Sequence, residues 1–282
     1  MRSMLFVPGD SPRKFQKASE GSASALILDL EDSVVPDKKE EARGLTRTML
    51  GGRRNGSQLY VRVNALDTDM TLRDLAAVMP AVPDGIVLPK SRSGDDVRLL
   101  ALWLDAFEAS AGSKPGSTQI VVVATETAAS VFGLGTYKDS SPRLAGLMWG
   151  AEDLAASLGA TENGSAGVFH SPYRLARDLC LIGAAAAEVA AIDTVYTDIE
   201  NLAGLEMETR AARRDGFTCK AIIHPKHVDI VNAAFEPTAA ERLWAEKVVA
   251  AFDAHPNLGT LRLEGKMIDK PHLRAARKIL GI

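Results

Sequence analysis

ALILDLEDSVVPDKKEEAR (residues 25–43) contains the unit from which the rest of the chain can be read. Ala25 to Leu28 is a short apolar run, of the kind that survives burial on both faces of a sheet. A polar turn follows, and from Pro36 the sequence turns charged and helix-like. Asp29, Glu31 and Asp32 crowd the junction. Like charges repel and desolvation opposes ionisation, so such a cluster persists only where cations, hydrogen bonds or water compensate it. A metal site, an acid–base pair and an acidic helix start all remain open at this point.

The same unit recurs along the chain. Strands are expected at MLFVP (4–8), ALILDL (25–30), QLYVRVN (58–64), GIVLPK (85–90), TQIVVVAT (118–125), LAGLMWG (144–150), DTVYTD (193–198) and KAIIHP (220–225). Helix-like stretches separate them, the longest being the alanine-rich SPYRLARDLCLIGAAAAEVAA. Strands alternating with helices imply parallel βαβ units, and eight of them favour a closed (β/α)₈ TIM barrel, an α/β fold. An open doubly wound sheet is the rival, but no G-x-G-x-x-G follows the first strand. The barrel is expected over residues 1–237, and residues 238–282 form a C-terminal extension. There a helix (PTAAERLWAEKVVAAFDAH), two short extended pieces (NLGTLRLEGKMID) and a last helix (KPHLRAARKILGI) are amphipathic enough to cover an active-site mouth, either this chain's own or a neighbour's.

At 282 residues the chain is ordinary for one barrel of this kind, which takes about 250. Its hydrophobic content of 46% and net charge of −3 describe a globular protein, with no reason to expect nucleic acid or an anionic membrane as partner. The opening MRSMLFVPGD is too short an apolar run for a signal segment, and no stretch approaches a membrane span. Cys180 and Cys219, the two cysteines, sit in apolar surroundings and read as reduced, packed thiols. A soluble cytoplasmic location is the expectation.

Active sites of such barrels lie at the C-terminal strand ends. Those ends carry Pro8-Gly9-Asp10, the strand-two acids, Arg62 with Asn64, Lys90, Glu126, Gly150 to Asp153, Asp198 and His224. Glu126 and Asp153 end neighbouring strands, which lie about 4.8 Å apart, so both can reach one ion. A pair of carboxylates suits Mg²⁺, or alternatively Mn²⁺, with other positions left to water and substrate. The competing reading makes Asp153 a cap of the helix that GAEDLAASL opens, with Glu152 serving the helix N-terminus. Arg62, among apolar neighbours, needs an anion: a ligand, a strand-two acid such as Glu31, or both. Lys90 reads as a salt-bridged or substrate-facing lysine rather than a Schiff-base nucleophile, since no apolar pocket surrounds it in the sequence. His224 reads as a satisfied structural histidine. No Ser/His/Asp or Cys/His arrangement presents itself.

As an ordered set, SMLFVPGDSPRKFQKA, LILDLEDSVVPDKKEEAR, YVRVN, GIVLPK, VATET, GAEDLAASLG, DTVYTD, KAIIHP and GKMID resemble the citrate lyase β-subunit-like proteins. These belong to the HpcH/HpaI aldolase superfamily, with malyl-CoA and citramalyl-CoA lyases as relatives. The resemblance implies a Mg²⁺-dependent carbon–carbon lyase that cleaves a malyl-, citramalyl- or citryl-type 3-hydroxyacyl-CoA to a 2-oxo acid and an acetyl thioester. It implies Glu126 and Asp153 as metal ligands, with Glu126 also at the substrate, and Arg62 as the substrate-binding and catalytic arginine. Asp269 would act in a neighbouring subunit of a homotrimer or hexamer, Arg13 and Lys14 would meet the CoA phosphates, and Glu31 and Asp32 would brace Arg62 or metal-bound water. CoA enters as substrate, not as a prosthetic group. A malyl-CoA-type thioesterase, or the β-chain of a multisubunit citrate lyase working on an acyl-carrier partner, would use the same site. Two features depart from the relatives: Cys219 stands where they commonly carry glycine, which implies a packing change only. The Asn163–Gly167 loop would shape the acyl pocket.

Overall fold

Eight parallel strands close into a barrel in the computed structural model, which describes residues 1–52, 55–165 and 167–282. The strands are Ser3–Pro8, Ala25–Asp29, Gln58–Arg62, Gly85–Leu88, Gln119–Val123, Leu144–Met148, Ala190–Asp193 and Cys219–Ile222. Each pairs with its successor in the chain, and the eighth returns to the first. Side chains alternate between two layers, as the period of a strand requires. Met4, Ile27, Tyr60, Val121, Met148 and Ile192 fill the interior. Leu5, Leu28, Val61, Ile86, Val122 and Leu147 belong to the larger core under the helices. That double burial explains why the strands read as continuous apolar runs.

Among the described residues nine α-helices surround the strands: α1 (Pro12–Ser19), α2 (Lys39–Leu50), α3 (Thr71–Val78), α4 (Gly94–Ala111), α5 (Ala128–Gly133), α6 (Glu152–Leu158), α7 (Ser171–Ala186), α8 (Leu202–Asp215) and α9 (Val228–Ala234). On α7, Tyr173, Ala176, Cys180 and Ala184 recur at helical spacing and are buried, which makes one apolar stripe. Both cysteines are buried and free, and burial pushes both thiols up, Cys219 to about 12. Cys219 packs among the barrel-interior residues, so the substitution expected to be a packing change is placed in packing.

The seventh strand corrects the sequence reading. It spans Ala190–Asp193 rather than 193–198, and Asp198 lies outside it, exposed to solvent. Within the Asn163–Gly167 loop, Gly164–Ser165 pairs antiparallel with Val168–Phe169, and Ala166 lies outside the described residues. Among the described residues no helix is long and apolar enough to cross a membrane.

The chain divides into two units, Met1–Phe235 and Glu236–Ile282. In the second, α10 (Ala239–Ala254) starts at Thr238, whose side chain and that of Glu241 each bond the other's backbone N–H. A hairpin pairs Thr260–Leu263 with Lys266–Asp269, and α11 (Lys270–Leu280) follows. Val248, Phe252, Ile268 and Ala276 form the small core of this unit.

Candidate active site

Strand register builds the first contact of the site. Asp29 and Arg62 are the last residues of strands two and three and lie directly opposite one another. Arg62 Nε and Nη2 donate to the two Asp29 oxygens at 2.7 and 2.8 Å, a bidentate fork, and Nη1 lies 2.8 Å from Glu31 Oε2. The guanidinium also lies 4.9 Å from the centre of the Phe6 ring. Burial pushes the Asp29 carboxyl up, but the Arg62 fork, Ser33 and the Glu31 N–H hold it below its ordinary range. Desolvation disfavours the charged guanidinium, and Asp29 and Glu31 more than offset it, so Arg62 stays charged. The sequence reading offered Glu31 as the brace. The structure gives the fork to Asp29, with Glu31 second and Asp32, largely exposed, at 3.7 Å.

A second layer holds the loop that carries Glu31. Lys39, the first residue of α2, is folded inward, and its Nζ donates to the carbonyls of Leu30 and Glu31, both at 2.6 Å, and to Asn64 Oδ1 at 2.8 Å. Asn64 in turn gives its backbone and side-chain N–H to Asp74, both at 2.7 Å, and Arg43 Nε closes on Asp74 at 2.8 Å. Gly9 is required here for space, since a Cβ would meet Asp29 O at 2.7 Å and Thr46 Oγ1 at 2.8 Å. Sequence reasoning missed Lys39 and Asp74 because nothing in a helical pattern says that a charged position turns under the sheet.

Glu126 and Asp153 line one cavity with Arg62, of about 640 Å³, on the C-terminal side of the barrel. Glu126 is buried, and its Oε2 accepts the Lys90 backbone N–H at 2.6 Å. Burial, then the charges of Glu31 and Asp153, push its carboxyl up to about 8. Asp153 sits in the first turn of α6, whose N-cap is Ala151 with no side-chain cap, so it does not serve as the cap. Lys90 Nζ lies 2.5 Å from Glu31, 3.7 Å from Asp153 and 3.9 Å from Asp32. Burial pulls its amine down, but its partners, above all Glu31, more than offset that and hold it well above the usual range, the opposite of the lowered amine that a Schiff-base lysine uses.

Charge decides what this arrangement accepts. Five carboxyl groups, those of Asp29, Glu31, Asp32, Glu126 and Asp153, gather around Arg62, Lys39 and Lys90, and the raised Glu126 carboxyl shows that one of them lacks a cationic partner of its own. Two carboxyl groups with an open cavity beside them suit a hard divalent ion that keeps water and substrate oxygens. Among the described residues no three His, Cys, Asp or Glu side chains form a closed cage. The donor set is the open kind.

The remaining sequence candidates divide. Lys14 lines the cavity, as does Lys17, whereas Arg13 on the same helix is exposed and does not. His224 lines the cavity with its Nδ1 accepting the Lys226 N–H at 3.2 Å, and burial and the neighbouring His227 and Lys226 hold it neutral-leaning, as a satisfied histidine. Glu152 also lines the cavity and accepts Asn163 Nδ2 at 2.9 Å. Asp269, in the second unit, caps α11 and lies 2.6 Å from His272 Nδ1, which holds its carboxyl below the ordinary range.

The family model for HpcH/HpaI aldolase/citrate lyase matches residues 2–225. The (3S)-malyl-CoA thioesterase of Cereibacter sphaeroides is 34% identical over 99% of this chain and 93% of its own length. Citrate lyase subunit beta of Escherichia coli is also 34% identical, over 99% and 92%. Among solved structures, the CitE protein of Mycobacterium tuberculosis in complex with magnesium, acetoacetate and coenzyme A superposes with a TM-score of 0.83 at 32% identity, over 99% of this chain and 97% of that one. The chain therefore belongs to the HpcH/HpaI aldolase/citrate lyase family of enzymes.

Proposed function

We propose that this protein is a Mg²⁺-dependent lyase that cleaves a 3-hydroxyacyl-CoA into a 2-oxo acid and an acetyl thioester. The observation that carries the reading is the pair Glu126 and Asp153 facing one cavity beside a bidentately held Arg62, with burial and the neighbouring acids pushing the Glu126 carboxyl up where a cation would favour its charged form. Glu126 and Asp153 would hold the ion. When bound, Mg²⁺ would supply Lewis-acid stabilisation of the negative charge left on the substrate's 3-oxygen when its hydroxyl proton departs.

The chain's own groups do the rest. Arg62 has five N–H donors, of which Asp29 takes two, while Nη1 forms an ion pair with Glu31 at 2.8 Å. The remaining N–H groups would take the thioester oxygen as it becomes an enolate, a contact worth about 2.7–4 kcal/mol when removed in comparable sites. Asp29 and Glu31 keep the guanidinium from following the substrate, so the donor is set before reaction begins. Asp269 of a neighbouring copy, in a homotrimer or hexamer, would give a proton to the enolate carbon in cleavage and remove it in condensation. Lys14, with Arg13 beside it and Lys17 one turn on, would meet the CoA phosphates.

The relative named as a malyl-CoA thioesterase supports a second reading, in which water also hydrolyses the thioester. The citrate lyase subunit supports a third, with the acyl group delivered on a carrier protein. A panel of malyl-, citramalyl- and citryl-CoA, incubated with and without Mg²⁺, separates them. Release of a 2-oxo acid with acetyl-CoA supports the lyase. Free hydroxy acid with CoA supports the thioesterase, and silence until an acyl-carrier protein is added supports the third. Glu126→Ala and Asp153→Ala should each abolish the Mg²⁺-dependent turnover in a folded protein. Normal metal-dependent activity in either variant would overturn the ligand assignment.

A further inference from the structure

Lys90 has a left-handed backbone, with φ of +53°. Side-chain-bearing residues other than Asn and Asp rarely adopt this conformation, and its cost is of the order of 1 kcal/mol or more, which the surrounding structure has to sustain. Pro89 precedes it, so the pair forms the corner at which the chain leaves strand four, the position of a turn where glycine or asparagine is the usual occupant. The outcome of that corner is specific. The Lys90 amide is directed away from the sheet ladder and onto Glu126 Oε2 at 2.6 Å.

Glu126 is held from its other side as well. Gly150 faces it so closely that a Cβ there would lie 3.0 Å from Glu126 Cγ and 3.6 Å from Oε1. Oε1 thus faces the chain segment that runs from strand six into Asp153, while Oε2 is bound by Lys90. The ammonium of Lys90 is engaged elsewhere, chiefly by Glu31 at 2.5 Å. Backbone and side chain of one residue serve two different carboxylates.

We infer that Lys90 is a positioning residue, whose left-handed amide turns Glu126 so that Oε1 faces the ion site shared with Asp153. Its side chain separately pairs with Glu31. The inference rests on the reading of Glu126 and Asp153 as metal ligands.

The two duties separate by substitution, because glycine and asparagine tolerate the left-handed region without any charge, whereas valine resists it. Mn²⁺ binding to the full-length protein without substrate, followed by the electron paramagnetic resonance signal of the free ion, reads the positioning directly. Lys90→Gly and Lys90→Asn should bind Mn²⁺ within about threefold of the parent, and Lys90→Val about tenfold or more weaker, the size seen when a group that orients a ligand is lost. Melting curves identify any variant that fails to fold. If Lys90→Val does, Lys90→Thr is β-branched as well and more polar, meets the same resistance, and should still bind more weakly than the glycine and asparagine variants.

Equal losses in all of the variants would make the ammonium the cause and overturn the inference. Parent-like affinity in the valine or threonine variant would overturn it too, with the metal reading intact. A parent protein that binds no Mn²⁺ would overturn the metal reading and the inference with it.

Discussion

Arg62 shows how a single side chain is prepared for chemistry. Its donors to Asp29 are fixed by strand register, and its guanidinium lies over the Phe6 ring, so its plane is set before any ligand arrives. Lysine preserves the charge but has neither the fork nor the plane. Arg62→Lys should therefore lower kcat by about 10²–10³ with a smaller change in KM, checked by steady-state rates on whichever thioester the panel identifies. Gly9 tests the packing beneath. Gly9→Ala places a methyl against Asp29 O, Thr46 and Leu30, and should destabilise the fold by about 1–3 kcal/mol, read as a lower urea midpoint at unchanged slope.

At the level of elements, strands seven and eight are joined to α8 by a buried charge cluster. Lys220 is fully buried and donates to Asp193 and Glu208, both at 2.7 Å, while Trp149 Nε1 donates to Asp193 at 2.7 Å. Lys220→Met leaves two carboxylates facing each other, and should cost about 3–5 kcal/mol in chemical unfolding. Double substitution with Asp193→Leu should recover part of that loss. These same strands mark where the sequence was readable and where it was not. Seven of the eight strands were legible from apolar runs ending in polar residues. The seventh was displaced because Ala190 and Ala191 continue an alanine-rich helix pattern, and the β-branched Thr194 and Val195 beyond Asp193 drew the reading forward. Of the site, Arg62, Glu126 and Asp153 stood out as strand-end chemistry, Lys14 entered only through the family resemblance, and all four share the cavity. The Asp29 fork, the inward Lys39 and the Lys90 backbone did not, because each depends on which strands become neighbours once the barrel closes.

The whole molecule separates activity from stability along the barrel axis. The end that carries the strand C-termini gathers acids that repel, and the opposite end is tied by Glu108 of α4. Arg143 Nη1 and Nη2 donate to Glu108 at 2.9 and 2.6 Å, and the Thr118 and Gly116 amides add 2.8 and 2.7 Å bonds, so α4 is fastened to the starts of strands five and six. Burial disfavours the charge, but Arg143 and these amides hold the Glu108 carboxyl down at about 2 against an ordinary 4.5. A depressed carboxyl stabilises fully above its unfolded value, and the contribution disappears as pH falls from about 4.5 towards 2. Glu108→Gln should thus lower neutral-pH stability by roughly 3 kcal/mol and flatten the acid limb of a stability–pH curve, with kcat unchanged. Assembly has its own test: mixing inactive Asp269→Asn and Glu126→Ala proteins should restore activity if neighbouring copies share a site, and no recovery would count against sharing. The two inward lysines, finally, make this protein report on its own opening. An amine-reactive label in native buffer should modify Lys14 and Lys17 at once but leave Lys39, nearly closed to solvent, and Lys220, fully closed, untouched. Labelling at Lys39 would then time the loosening of strands two and three, and labelling at Lys220 that of strands seven and eight. Peptide mass spectrometry would thereby show which side of the barrel opens first.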